Sequence, residues 1–144
     1  MTELKETIKT EEELQEMIAE TESGARNPTG AFPKKVLFAV PLIWTIFQLW
    51  YASPLPFIFN FFVINDTEAR AIHLAFAIFL SFTAFPTFKK SPKTYIPVQD
   101  WALGLVGAFC AAYLYLFYVE LSGRPGMPSQ MDLVVSVVGL ILLL

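Results

Sequence analysis

Apolar residues fill four stretches of the chain, and short polar segments separate these stretches. A helix of about 20 residues crosses the roughly 30 Å hydrocarbon core of a bilayer, and the first three stretches reach that length. The pattern therefore predicts an all-α membrane protein with three complete transmembrane helices and the start of a fourth. The four stretches are residues 36–62, 70–88, 101–121 and 133–144.

The fourth stretch, LVVSVVGLILLL, has twelve residues and reaches the last residue of the sequence, Leu144. Twelve residues make about 18 Å of helix, which is too short to cross the bilayer. We therefore expect the protein to continue beyond residue 144. The predicted transmembrane domain covers residues 33–144. With their polar ends included, its helices cover about residues 36–59, 68–88, 98–121 and 130–144.

Charged residues are scarce and unevenly distributed. They make up 16% of the chain, against about 25% in a soluble domain, while hydrophobic residues make up 55%. Residues 1–22 hold eight glutamates. The net charge of −3 therefore comes from an acidic N-terminal segment, residues 1–32. We expect a marginal helix over residues 3–22, on the cytoplasmic face of the membrane. The basic footprint of a nucleic-acid-binding protein is absent from the sequence.

The basic residues predict the orientation of the helices. No apolar segment of signal-peptide length precedes residue 36. Lysines and arginines near span ends favour the cytoplasmic side, so the N-terminus and the lysine-rich loop are predicted to lie inside. Residues 60–69 and 122–131 are then predicted outside. Six basic residues lie on the inner side (Arg26, Lys34, Lys35, Lys89, Lys90 and Lys93), against two on the outer side (Arg70 and Arg124).

Local patterns indicate where the helices begin and end. Residues 65–68 and 129–132 resemble capping boxes, in which a polar side chain and an acidic one satisfy the first backbone N–H groups of a helix. Pro97 can open the third helix and leaves Asp100 in its first turn, near the positive end of the helix dipole. The prolines within residues 54–56 are expected to end or kink the first helix.

Polar residues inside the apolar stretches are the candidates for function. In the run EARAIHLAFAIF, Arg70 lies four residues after Asp66, so the two can pair, and His73 lies one turn deeper. We interpret His73 as a hydrogen-bonding residue; a titrating role is the alternative. No second histidine and no cysteine at ligand spacing accompany it, which disfavours a metal or haem site. Gln48 is expected to make an interhelical hydrogen bond.

The sequence predicts no catalytic site. It contains no nucleophile–base pair and no glycine-rich phosphate loop, so we expect no enzyme activity. No charged residue falls at the membrane centre, which argues against a substrate or ion pathway. Gly104 and Gly107 are expected to allow close helix contact, and Cys110 to pack. Structural or helix-contact roles are assigned to Gln48, Asp66, Arg70, His73, Asp100, Trp101, Arg124 and Asp132.

Five blocks of the sequence resemble a known family. They are ESGARNPTG, FQLWYA, EARAIHLAFAIFLSF, IPVQDWAL and RPGMPSQMDLVVSVVGLILLL, in this order. Together they are similar to the amino-terminal region of TRAP transporter permeases, specifically the fused four-plus-twelve-helix type that works with TAXI-class solute receptors. The resemblance covers about residues 20–144.

The resemblance implies a sodium-driven importer of organic anions in a bacterial or archaeal cytoplasmic membrane. In that family, the sodium and substrate sites belong to the large twelve-helix part, and an extracytoplasmic TAXI-type protein delivers the solute. The four-helix part resembles a small-subunit scaffold that braces the static domain. This region is then expected to hold no cofactor, and Na⁺ is implied only for the complete transporter. It is also not expected to transport a solute alone.

Two other interpretations stay open. One is a stand-alone membrane accessory or assembly protein, with no transport role, that organises a complex through its acidic tail. The other is a small redox or quinone-binding membrane subunit, which predicts a coloured cofactor on purification. The single histidine disfavours the second of these.

Overall fold

The computed structural model of the chain describes residues 24–88 and 91–144. All regular secondary structure in these residues is helical, in agreement with the predicted class. The acidic segment 1–22 with its predicted helix, and Lys89 and Lys90, lie outside the described residues. The helices are α1 (Ala31–Ala52), α2 (Leu55–Phe59), α3 (Asp66–Ala84), α4 (Val98–Leu116), α5 (Tyr118–Gly123) and α6 (Gln130–Leu143).

Among the described helices, only α1 is both long enough and apolar enough to be a clear candidate for a membrane span, with 22 residues. Helix α3 has 19 residues but carries Asp66, Glu68 and Arg70 near its start. Helix α6 is apolar but has 14 residues. The structure thus provides one candidate span by length and composition, and the three complete spans expected from the sequence stay a prediction.

Two predicted helices are each divided in the structure. The helix expected over residues 36–59 begins earlier, at Ala31, and ends at Ala52, where Ser53 adopts an extended conformation with φ −93° and ψ 165°. Ser53 precedes a proline, which disfavours helical backbone, and that proline then caps the short helix α2. The helix expected over residues 98–121 is interrupted at Phe117, which has φ −114° and ψ 22°.

Both predicted capping boxes are confirmed. At the start of α3, the Glu68 backbone N–H donates to Asn65 Oδ1 and the Asn65 backbone N–H donates to Glu68 Oε2, each at 2.9 Å. At the start of α6, the Ser129 backbone N–H donates to Asp132 Oδ2 at 2.7 Å, and the Asp132 backbone N–H donates to Ser129 Oγ at 3.3 Å. Each box satisfies backbone donors that a helix end leaves unpaired.

The helices pack in the order α1, α3, α4, α6. Helices α3 and α4 make the most extensive contact, while α1 packs on α3 and α6 packs on α4. Few side chains are buried by this arrangement, and many large apolar ones face outward. Within the part of the chain that the structure describes, the buried hydrophobic residues are Ala69, Ala71, Ile78, Ile96, Tyr113 and Val135.

Glycines allow the close approach of α4 to its neighbours. A Cβ atom added to Gly104 would lie 3.3 Å from Phe82 Cβ, and one added to Gly107 would lie 2.7 Å from Ile78 Cγ2. The second distance is shorter than any ordinary carbon–carbon contact. The expectation that these two glycines serve helix packing is confirmed.

Replacing Gly107 with alanine is predicted to destabilise the protein. The new methyl group would clash with the branched side chain of Ile78, and overpacking of this kind costs about 1–3 kcal/mol. Gly123→Ala is the matched control, because an added Cβ there meets nothing within 4 Å. Thermal unfolding of the purified proteins in detergent measures the difference. Adding Ile78→Ala to Gly107→Ala should relieve the clash, and equal unfolding temperatures of Gly107→Ala and Gly123→Ala would contradict the close contact.

Candidate functional site

An extended segment before α1 crosses the ends of α3 and α4. Its backbone forms three hydrogen bonds to the end of α3 and to the loop that precedes α4: Arg26 N–H to Ala84 O at 2.8 Å, Asn27 N–H to Lys93 O at 3.2 Å and Thr29 N–H to Thr94 O at 2.9 Å. The acceptors are the last residue of α3 and two residues of the α3–α4 loop. The segment is therefore fixed at the junction of these helices before α1 begins.

A buried ion pair joins this segment to α4. The Arg26 guanidinium donates through Nη2 to Asp100 Oδ2, and neither side chain has any exposed surface. Arg26 Nε and Nη1 and Asp100 Oδ1 have no hydrogen-bond partner among the described residues. Each charge thus depends on the other for compensation, because an isolated buried charge is very costly.

Sequence reasoning placed Asp100 among the structural residues but missed Arg26 as its partner. Arg26 was counted only as a basic residue flanking the first helix. The two residues are 74 positions apart, so no helical or turn spacing connects them. The local signals, a lone arginine in an uncharged stretch and an acidic residue in a first helical turn, do not indicate that they meet.

A second polar network joins α4 to α6. Asp132 Oδ1 accepts a hydrogen bond from the Tyr113 hydroxyl at 2.6 Å, and Arg124 approaches both carboxylate oxygens, Nη1–Oδ2 at 3.0 Å and Nη2–Oδ1 at 3.3 Å. Tyr113 and Asp132 are both buried. The structure brings together Arg124 and Asp132, two of the proposed helix-contact residues. Tyr113, their third partner, was not predicted from the sequence.

A third contact joins α1 to α3 through His73. The Gln48 side-chain amide and the Trp44 indole N–H, the latter at 3.3 Å, both contact His73 Nδ1. Because an indole nitrogen is only a donor, Nδ1 must act as the acceptor, and the proton of the neutral ring lies on Nε2. His73 therefore receives hydrogen bonds from α1.

The exposed end of this contact contains the predicted Asp66–Arg70 pair. The carboxylate and guanidinium lie 2.6 Å apart, and their side chains are 65% and 78% exposed, so the pair contributes at most about 1 kcal/mol. An open pocket of about 240 Å³ lies beside it. Its lining residues are Phe47, Gln48, Tyr51, Asp66, Ala69, Arg70 and His73.

Trp101 makes aromatic contacts with two other helices. Its ring centroid lies 5.8 Å from that of Phe32 on α1 and 6.0 Å from that of Phe79 on α3. The residue follows Asp100, so the buried ion pair and this aromatic cluster occupy the same end of α4. Together they hold the starts of α1 and α4 next to the end of α3.

Most of the polar side chains contact one another between helices, and Gln48, Asp66, Arg70 and His73 also line the open pocket beside the Asp66–Arg70 pair. In residues 24–88 and 91–144, no group of three His, Cys, Asp or Glu residues is placed to hold a metal ion. The pocket of about 240 Å³ between α3, α4 and α6 has mostly apolar and small lining residues, including Gly107, Cys110 and Gly139. The geometry is that of helix contacts.

Comparisons with protein-family models, with curated proteins and with solved structures found no match for this chain.

Asp100→Asn is predicted to destabilise the protein by about 3–5 kcal/mol, because it leaves the buried Arg26 charge without its counter-charge. Asp66→Asn is the matched control, since it removes the carboxylate of an exposed pair and should cost at most about 1 kcal/mol. Thermal unfolding in detergent, followed by tryptophan fluorescence, compares the two variants.

Replacing both buried charges distinguishes pairing from simple packing. The double variant Arg26→Met, Asp100→Leu should recover most of the stability lost in Asp100→Asn, because apolar residues often substitute well for a buried ion pair. A double variant as unstable as Asp100→Asn would show that the charges have a role beyond compensating each other.

Proposed function

We propose that this chain is a membrane-embedded scaffold. In this proposal it is the small-subunit-like region of a sodium-driven TRAP-type importer for organic anions, and it braces the static domain of the large twelve-helix permease part. One observation supports the proposal most directly: the described polar side chains mainly connect helices, whereas large apolar side chains cover the outer surface.

The exposed apolar surface supports a membrane location. On α1, six large apolar side chains are exposed, and the outer face of α6 is also rich in valine, leucine and isoleucine. A soluble monomer rarely exposes contiguous apolar surface on this scale, whereas lipid or a partner helix covers it readily. The six residues of α1 are Phe32, Phe38, Leu42, Ile43, Ile46 and Leu49.

The paired charges support a frame rather than a transport path. A path for ions or anions needs polar groups that face a cavity and are available to the substrate. Here Arg26 is paired with Asp100, and Arg124 with Asp132. Such contacts hold helices in fixed positions, as a static domain requires.

The family resemblance of the sequence supports the remainder of the proposal: the twelve-helix partner, the sodium gradient and the TAXI-type receptor.

Thiol labelling tests the predicted orientation in the membrane. Single cysteines at Thr67 and Met127 should react with an impermeant reagent added outside intact cells, and one at Thr94 should react only after permeabilisation. Met127 is 75% exposed and avoids the cap residue Ser129. All variants carry Cys110→Ala, which removes the native thiol but keeps the Cβ that packs near Gly139. Labelling with the opposite sidedness would overturn the orientation.

Uptake measurements test the transport role. In host cells that produce the intact permease and its receptor, deletion of this region should abolish sodium-dependent uptake of at least one labelled organic anion in a panel of mono-, di- and sugar-acid carboxylates. His73→Gln retains a hydrogen-bond acceptor toward Gln48 and Trp44. Its uptake rate per folded protein should therefore stay unchanged between about pH 5 and 8, where an ordinary imidazole titrates.

The other outcomes separate the alternatives. Sodium-dependent uptake that is unaffected by the deletion would support an accessory protein with no transport role. Loss of uptake in His73→Gln, with normal amounts of folded and assembled protein, would place the histidine in the transport mechanism and contradict the scaffold proposal.

A further inference from the structure

The segment between α1 and α3 exposes an unusual number of large apolar side chains. We call residues 54–64, which include α2, the aromatic hairpin. Four of its side chains, those of Phe57, Ile58, Phe59 and Phe61, are between 65% and 74% exposed. None of the polar contacts described above involves this segment. Those contacts therefore do not explain why its apolar side chains are exposed.

The hairpin is held against α1 and α4 along one side. The Trp50 ring lies 6.2 Å from the Phe59 ring and 6.1 Å from the Phe61 ring. Asn60 and Phe62 have positive φ angles of 49° and 52°, so the chain turns sharply after α2. This turn brings the Phe62 ring to within 6.3 Å of Phe47 and 6.4 Å of Tyr115. The opposite side, with Phe57 and Ile58, is left uncovered.

The chemistry of the hairpin favours lipid as the covering partner. No charged residue occurs between Lys35 and Asp66, and the only polar side chain in residues 54–64 is that of Asn60. A protein interface normally has a polar rim with hydrogen bonds, and this surface offers almost none. Lipid acyl chains require no such partners. The surface also lies next to the C-terminal end of α1, the one clear candidate span among the described helices.

The backbone of the hairpin limits its depth in the membrane. Residues 61–65 are not helical. Phe61 and Asn65 bond to the adjoining helix ends, but the backbone N–H and C=O groups of residues 62–64 have no hydrogen-bond partner among the described residues. Such irregular backbone does not occur in contact with the hydrocarbon core, but it is tolerated among hydrated headgroups. The backbone must then stay at the headgroup level while the aromatic and aliphatic side chains extend toward the acyl chains, as in interfacial segments. Asp66 and Arg70, in the first turns of the next helix, are exposed. Their charges are compatible with a position at the headgroup level.

We propose that the aromatic hairpin is an interfacial anchor that inserts Phe57, Ile58 and Phe61 into the leaflet at the C-terminal end of α1. This inference rests on the membrane location proposed above and extends it. Because the hairpin is packed on Trp50 at the end of α1, the anchor would fix the depth of that helix. A scaffold whose depth is fixed can brace a moving partner without sliding along the membrane normal.

Spin labelling tests the anchor and the membrane location separately. Nitroxide labels are attached to single cysteines at Ile58, Ile46 and Thr67 in the Cys110→Ala background, and the full chain is reconstituted in vesicles of phosphatidylethanolamine and phosphatidylglycerol. Collision with oxygen, which concentrates in lipid, is compared with collision with a water-soluble nickel complex. Ile46 lies in the second half of α1 and is 57% exposed, whereas Thr67 lies in the first turn of α3.

The expected result is higher oxygen than nickel accessibility at Ile58 and Ile46, with the reverse at Thr67. The Ile58 label should lie roughly 5–10 Å below the headgroups, shallower than the Ile46 label. Nickel accessibility at Ile58 alone would overturn the anchor and leave the membrane location intact. Low accessibility of Ile58 to both reagents would also overturn it, because protein would then cover the hairpin. Nickel accessibility at Ile46 would instead contradict the membrane location itself.

Discussion

The rest of the structure depends on the buried pair of Arg26 and Asp100. Both side chains are fully removed from solvent, and a charge in such surroundings is tolerated only beside its counter-charge. Their contact fixes the segment before α1 against the first turn of α4, while the backbone of the same segment bonds to the end of α3. Three parts of the chain that are distant in sequence thus meet at one point. From this point α1, α3 and α4 extend with their relative positions already set.

Polar contacts have this importance because apolar packing alone discriminates poorly between arrangements of apolar helices. In lipid, one apolar helix face is covered almost as well by acyl chains as by another helix, so specificity comes from close steric fit and from polar groups. This chain uses both. Gly104 and Gly107 permit α3 to approach α4 closely, and Gln48 donates to His73 across the α1–α3 contact. The Tyr113–Asp132 hydrogen bond does the same between α4 and α6.

Local sequence patterns predicted the parts of this structure that local interactions determine. The capping boxes at Asn65 and Ser129, the helical class and the close contact at Gly107 all follow from residues within a few positions of one another or from the size of one side chain. The Arg26–Asp100 pair could not be predicted in this way, because it depends on how α3 and α4 bring residues 74 positions apart into contact. The interruption at Phe117 was also missed, since no proline or glycine lies at that position.

The distribution of contacts along α4 links the structure to the proposed scaffold role. Asp100, in the first turn of the helix, binds the segment before α1, and Tyr113, near its last turn, binds α6 and its preceding loop through Asp132. Between these points Gly104 and Gly107 hold the helix in close contact with α3. A helix fixed at both ends and closely packed in its middle resists tilting as well as sliding. These are the two motions that a static domain has to resist when a neighbouring domain moves across the membrane, so α4 is the element around which we expect the brace to be built.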